Sequence, residues 1–286
     1  MIEPIDRRRA GRAPSVVRVL ASATLIAAAA CGPATAPAAG PGASTAGSPS
    51  GSTGSPTVLS IGERCPDLQE AGGLTARTVT FPASDGTSLY GAIIGSGSAG
   101  VVLANDVPHP ICQLVAPATI LARHGYRVLL FDYRGHGASA ASDAAGRLDL
   151  DVLGAVGELR HEGASRVVLM GSYGGVAACV VAATEASAYV DGLVGFSPAA
   201  ERGQYIGGPF DPVGALRAAP RLRVPVLYVA ALHDGFVPVP EARRLYAATG
   251  SSDKTFLVVD DLPSWYLLQY DDRAASAVFR FLAQHT

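Results

Sequence analysis

Six short apolar runs rich in β-branched residues punctuate the chain, and helical stretches separate them. The runs are Gly100–Ala104, Tyr126–Phe131, Arg166–Met170, Gly192–Phe196, Val224–Ala231 and Thr255–Val259. Four to eight residues of continuous hydrophobicity fit strands buried on both faces of a parallel sheet. Between them, Ala116–His124, Leu150–Leu159, Pro240–Ala248 and Ala274–Ala283 carry helical spacing, such as Leu150, Leu153, Val156 and Leu159 on one face. Two further extended runs, Arg77–Phe81 and Leu89–Ile94, flank the turn signal Ser84-Asp85-Gly86 and predict a leading hairpin. This order predicts an open, doubly wound, mostly parallel α/β sheet of about eight strands flanked by helices, spanning 74–286.

The segment before it is different in kind. Residues 1–18 carry five arginines, and an apolar run from Val19 to Ala30 follows. That run is shorter than the roughly 20 residues a spanning helix needs. A basic start, a short apolar stretch and small residues at its end predict an export signal over 1–30. Ala28-Ala29-Ala30-Cys31-Gly32 resembles a bacterial lipobox, which implies lipidation at Cys31 and an exported lipoprotein held at the cell membrane. Residues 31–57 are almost all Gly, Ala, Ser, Thr and Pro and predict a tether, with a lead-in over 58–73. Without residues 1–30 the net charge falls from −2 to −5, because five arginines and two acids are lost. No basic balance exists to attract nucleic acid, and membrane contact is expected only through Cys31. No metal-ligand spacing, phosphate loop or dinucleotide fingerprint appears, so no metal or cofactor is expected.

Functional groups of an open parallel sheet gather past the carboxyl ends of its strands. There the chain reads Met170-Gly171-Ser172-Tyr173-Gly174-Gly175, Asp132-Tyr133-Arg134-Gly135-His136-Gly137 and Asp234-Gly235-Phe236-Val237-Pro238. Together these resemble the α/β-hydrolase family, whose fold carries serine esterases. The resemblance implies Ser172 as nucleophile on a sharp strand-to-helix turn, and Asp234 as the acid that orients a histidine base. It implies backbone N–H groups of Asp106 and Tyr173 on the oxyanion, with His136 structural. Where the family has a small residue two before the serine, this chain has Met170. Where it has the base, in the loop after the last strand, Pro263 or Ser264 stands. His233 and His109 are the candidate substitutes; His124 and His161 sit at helix ends. Cys112, in the loop of Asp106, pairs with Cys65 if the compartment is oxidising, and Cys179 is expected buried.

Two functions follow from these residues. One is cleavage of a small carboxylic ester through Ser172, with the base relocated. The other is an inactive hydrolase-like lipoprotein that binds a small acyl or apolar ligand in a pocket lined by Tyr173, Phe210, Phe236 and Trp265. The short stretch between Ser197 and Val224 leaves room for at most a small lid, so no large cap domain is expected.

Overall fold

The computed structural model describes residues 59–66, 74–106, 109–144, 146–199, 212–260 and 262–286. The expected signal, Cys31 and the tether lie outside them, as do Phe210 and most of the expected small lid. The chain divides into Met1–Thr53 and Gly54–Thr286, and the structural account concerns the second unit.

All eight expected strands form. They are β1 (Ala76–Pro82), β2 (Ser88–Ile94), β3 (Ala99–Ala104), β4 (Arg127–Phe131), β5 (Arg166–Ser172), β6 (Gly192–Phe196), β7 (Val226–Ala231) and β8 (Lys254–Val259). They make one sheet in the order β1-β2-β4-β3-β5-β6-β7-β8. The leading hairpin is antiparallel, β2 joins β4 antiparallel, and the pairings from β4 through β8 are parallel. The helices are α1 (Ile61–Arg64), α2 (Val115–Arg123), α3 (Leu148–His161), α4 (Gly174–Glu185), α5 (Pro212–Ala218), α6 (Val239–Ala248), α7 (Tyr266–Tyr270) and α8 (Asp272–His285). Among the described residues no helix is long and apolar enough to cross a membrane.

Alternation along each strand divides the core into two layers. On β5, Val167 and Leu169 join the layer that holds α3 and α4, whereas Val168 and Met170 join the layer that holds α2 and α8. Both faces are covered along β3 to β7, which is why those strands read as unbroken apolar runs, whereas the edge strand β8 buries only Val259. The outer helices keep one apolar stripe. On α8, Ala274, Val278, Phe281 and Leu282 are buried, and Asp271 caps its start by accepting from Ala274 N–H at 2.7 Å.

Two devices tie the loops around the site. Arg134 is a wholly buried guanidinium. It pairs with Asp151, also buried, at 2.7 Å and with the more open Asp85 at 2.7 Å. Its hydrogen bonds hold the Asp85 carboxyl well below the usual carboxylate range. Asp151 also accepts from Arg134 backbone N–H at 2.9 Å, so the ion pair fixes the loop that follows β4. Removing one partner of a buried pair leaves the other charge uncompensated. Asp151→Ala is therefore expected to cost about 3 kcal/mol of stability, read as a lower urea midpoint. The second device is a disulfide between Cys65 and Cys112, with Cα atoms 5.3 Å apart. It fastens α1 to the 3-10 turn Ile111–Leu114, which precedes α2. Arg64 adds an ion pair to Asp132 at 2.9 Å, and its guanidinium lies 4.5 Å from the centre of the Tyr90 ring.

Candidate active site

β5 ends in a sharp turn that feeds directly into α4, and the residue at the tip of that turn is Tyr173. Its backbone has φ 47 and ψ −112, a conformation that L residues adopt only under strain. The glycines on either side frame the same centre. A Cβ on Gly171, two residues before the tip, would lie 2.6 Å from Val176 N. One on Gly175, two residues after it, would lie 2.1 Å from the Ala104 carbonyl oxygen. Both positions must stay bare for strand, turn and helix to pack this tightly.

The sequence reading sets Ser172 at the tip, and the structure moves the tip one residue on. Ser172 is the last residue of β5, paired with Phe196 of β6 and fully buried. Its hydroxyl is hydrogen-bonded to the hydroxyl of Ser264. Met170 is then no departure from the turn pattern: it is a strand residue packed in the core, three before the tip. The oxyanion expectation shifts with it. Tyr173 N–H is already donated to the Phe196 carbonyl at 3.1 Å. The N–H of the residue after the tip belongs to Gly174, and it donates to a carboxylate oxygen of Asp106 at 3.4 Å. Asp106 is placed beside the turn as expected, but its side chain occupies the spot where an oxyanion would sit.

Asp234 stands behind Tyr173. Its Oδ1 accepts from Phe236 N–H at 2.8 Å, from Val237 N–H at 3.1 Å and from the Tyr173 hydroxyl at 3.4 Å. Its Oδ2 is buried without a hydrogen-bond partner among the described residues. Burial, and next the charge of Asp234, push the Tyr173 hydroxyl well above its ordinary value. It is a protonated phenol at neutral pH, not a nucleophile. A tyrosinate titration should therefore show no difference between the wild type and Tyr173→Phe up to about pH 10, the ordinary tyrosine value. A step lost from the variant at lower pH would contradict this.

The position expected for the base is Ser264, and its backbone is also strained, with φ 61. Its N–H donates to Ser197 Oγ at 3.1 Å, and Ser197 itself has φ 47. Tyr173, Ser197 and Ser264 are the three non-glycine residues with positive φ among the described residues, and the loops after β5, β6 and β8 bring them to one place. Such strain gathers where surrounding packing over-determines a functional geometry. His233 is exposed although its neighbour Asp234 is buried. His109 lines the mouth of the cleft, its Nδ1 3.3 Å from Gln113 Nε2. His136 and His124 rest on backbone carbonyls, at 3.0 and 2.8 Å. Cys179 is buried, and burial pushes its thiol up, so it is inert.

Above the turn lies a cleft of about 440 Å³ that Asp106, Tyr173, Phe236, Ser264 and Trp265 help to line. Trp265 is held in place by its indole N–H, which donates to Asn105 Oδ1 at 3.0 Å. Among the described residues no group of histidine, cysteine and carboxylate side chains could hold a metal ion.

The same architecture recurs in solved structures. An esterase of Pyrococcus furiosus superposes with a TM-score of 0.63 at 19% identity, covering 77% of this chain and 93% of that one. A monoacylglycerol lipase of Paleococcus ferrophilus gives 0.55 at 18% identity, covering 69% and 99%. The chain has the α/β-hydrolase fold. A thermophilic esterase of Thermogutta terrifontis is a further α/β relative, with a TM-score of 0.59, 16% identity and coverage of 73% and 100%. The family model for serine aminopeptidase S33 (Hydrolase_4) matches residues 111–214, from the turn before α2 to the start of α5. No curated protein matches the chain by sequence. In this fold Tyr173 stands at the tip of the turn from β5 into α4, and Ser264 stands in the loop after β8. The frame Gly171-x-Tyr173-x-Gly175 was legible in the sequence, had the two glycines and not the one serine been used to set it.

Proposed function

We propose that this chain is an α/β-hydrolase-fold protein that binds a small ligand in the cleft above Tyr173 and does not cleave it. One observation carries the reading: the strained tip of the turn, where the fold presents its nucleophile, bears a protonated tyrosine. The filled oxyanion position at Gly174 N–H and the hydroxyl at Ser264 support it. Acyl transfer needs a nucleophile, a base within hydrogen-bond reach and donors aimed at the developing charge. Here each of those three is replaced or occupied. Ester cleavage through Ser172, the activity suggested by the esterases of like fold, would need an attacking oxygen that is exposed; Ser172 is buried beneath the turn.

Export and anchoring at Cys31 belong to the same proposal. The basic and apolar start of the sequence supports them, and so does the Cys65–Cys112 disulfide, since such bonds persist in oxidising compartments. The test of function is turnover. The purified chain is offered short p-nitrophenyl esters beside Ser172→Ala and Tyr173→Phe. Equal, background rates in all three are expected; wild-type turnover abolished by Ser172→Ala would overturn the reading.

A further inference from the structure

β8 ends the sheet, and among the described residues no strand pairs with its outer edge. Val226 N–H donates to the Asp253 carbonyl at 2.9 Å, and Leu232 N–H to the Val259 carbonyl at 2.8 Å. The N–H and C=O of one strand residue point to the same side, and the side alternates along the strand. Odd-numbered residues of β8 therefore face β7, and Lys254, Phe256 and Val258 turn their backbone groups outward. The Val258 carbonyl accepts from the Arg273 guanidinium at 3.5 Å, in agreement with that direction and at the limit of hydrogen-bond reach. Such an edge is a template for one more strand.

The helix beside this edge carries a charge pattern that indicates which strand. α8 runs antiparallel along β8: Arg273 reaches Val258 at one end, and His285 lies 3.6 Å from Asp253 at the other. Asp272, Ser276 and Arg280 are exposed and spaced four residues apart, so they share one face of α8. That face reads acid, small, base. A second α8 turned end for end would set each acid against the other's base. A groove of about 490 Å³ separates this face from Thr255 and Leu257 of β8.

We propose that the edge of β8 binds the edge of β8 in a second copy of this chain, antiparallel about a twofold axis at Phe256, to form one continuous sheet. All three outward residues then find outward partners within the strand. Phe256 exchanges both backbone bonds with its counterpart, and Lys254 does so with Val258 of the second copy. The Lys254 N–H takes the place of Arg273 on that carbonyl. The two Phe256 side chains stand directly opposite, an aromatic cross-strand pair, and Thr255 of each copy stands beside Leu257 of the other in the groove. Because α8 follows β8, the same axis passes near Ser276 and brings Asp272 towards Arg280 of the second copy, twice by symmetry. Self-complementarity of this kind is what an isologous interface requires. None of the described residues lining the cleft above Tyr173 belongs to β8 or α8, so association leaves the cleft open.

The experiment is sedimentation velocity of the purified full chain across micromolar concentrations, with charge variants in parallel. The wild type is expected to be a dimer. Arg280→Asp sets acid against acid at both contacts and is expected to weaken the dimer at least about tenfold. Asp272→Arg added to Arg280→Asp exchanges the charges and is expected to restore it. Val258→Pro removes an outward N–H that no bond to β7 uses, and is expected to give a folded monomer. A monomeric wild type, an unchanged dimer in Arg280→Asp, no recovery in the exchanged pair, or a dimer that survives in folded Val258→Pro would each overturn the proposal. The charge series leaves the backbone alone, so a misfolded Val258→Pro leaves it decisive.

Discussion

Tyr173→Ser combined with Ser264→His is expected to turn this chain into a weak esterase. The first change puts a hydroxyl at the strained tip, where strand, turn and helix already hold the geometry of a nucleophile. The second puts an imidazole in the loop after β8, in a positive-φ position that histidine tolerates better than most residues. Asp234 is in place behind the tip to orient it. A positioned general base contributes about 10²–10⁴-fold, so a gain of at least about 10²-fold over the wild type is expected for p-nitrophenyl acetate. Adding Asp106→Ala frees the Gly174 N–H for the oxyanion. One such donor is worth about 10²–10³ in kcat, and the triple variant should exceed the double by a factor in that range. Either single substitution alone should stay at the wild-type level, because a nucleophile and its base act as a unit. A double variant as inert as the wild type, though folded, would mean that Tyr173 does not hold the nucleophile's place.

Loss of the disulfide is expected to be the largest single effect on stability. Cys65 and Cys112 are 47 residues apart in sequence. Closing a loop of that length restricts the unfolded chain by about 4 kcal/mol in the chain-entropy model. The bridge also joins α1 to the segment that carries Cys112 and Gln113 into the cleft wall. Cys65→Ala with Cys112→Ala, or the reduced wild type, should lower the urea midpoint by an amount equivalent to about 4 kcal/mol. A shift of less than about 1 kcal/mol would show that Arg64, Ile61 and their contacts hold α1 without it.

The inner strands were legible because a covered parallel sheet demands unbroken apolar runs, and the sequence has one for each of β3 to β7; the partly exposed edge strand β8 carries such a run as well. The helices α2, α3, α6 and α8 were legible from their spacing, whereas α4, buried on nearly every side, shows no apolar stripe and was marked only by the turn before it. The helices α1 and α7 were not legible. At four and five residues they have no periodicity to read, and tertiary contacts, such as buried Ile61 and Leu267, hold them. The register of the turn was misread for a different reason. A serine next to glycines invites the role of nucleophile, yet backbone geometry decides which residue stands at the tip, and the close approaches at Gly171 and Gly175 decide the geometry. The missing histidine was visible as an absence after β8. The carboxylate of Asp106 at Gly174 N–H was not visible, because it depends on how the loop after β3 meets the start of α4. The strain at Ser197 and Ser264 likewise has no signature in residue type.

The most direct measurement is covalent. The wild-type chain is treated with a fluorophosphonate, digested, and the peptide spanning β5 and the start of α4 is weighed, with Tyr173→Ser, Ser264→His treated in parallel. An unmodified wild-type peptide and an adduct at residue 173 of the double variant are predicted. An adduct on Ser172 of the wild type would contradict the placement of Tyr173 at the tip of the turn and the non-hydrolytic function built on it.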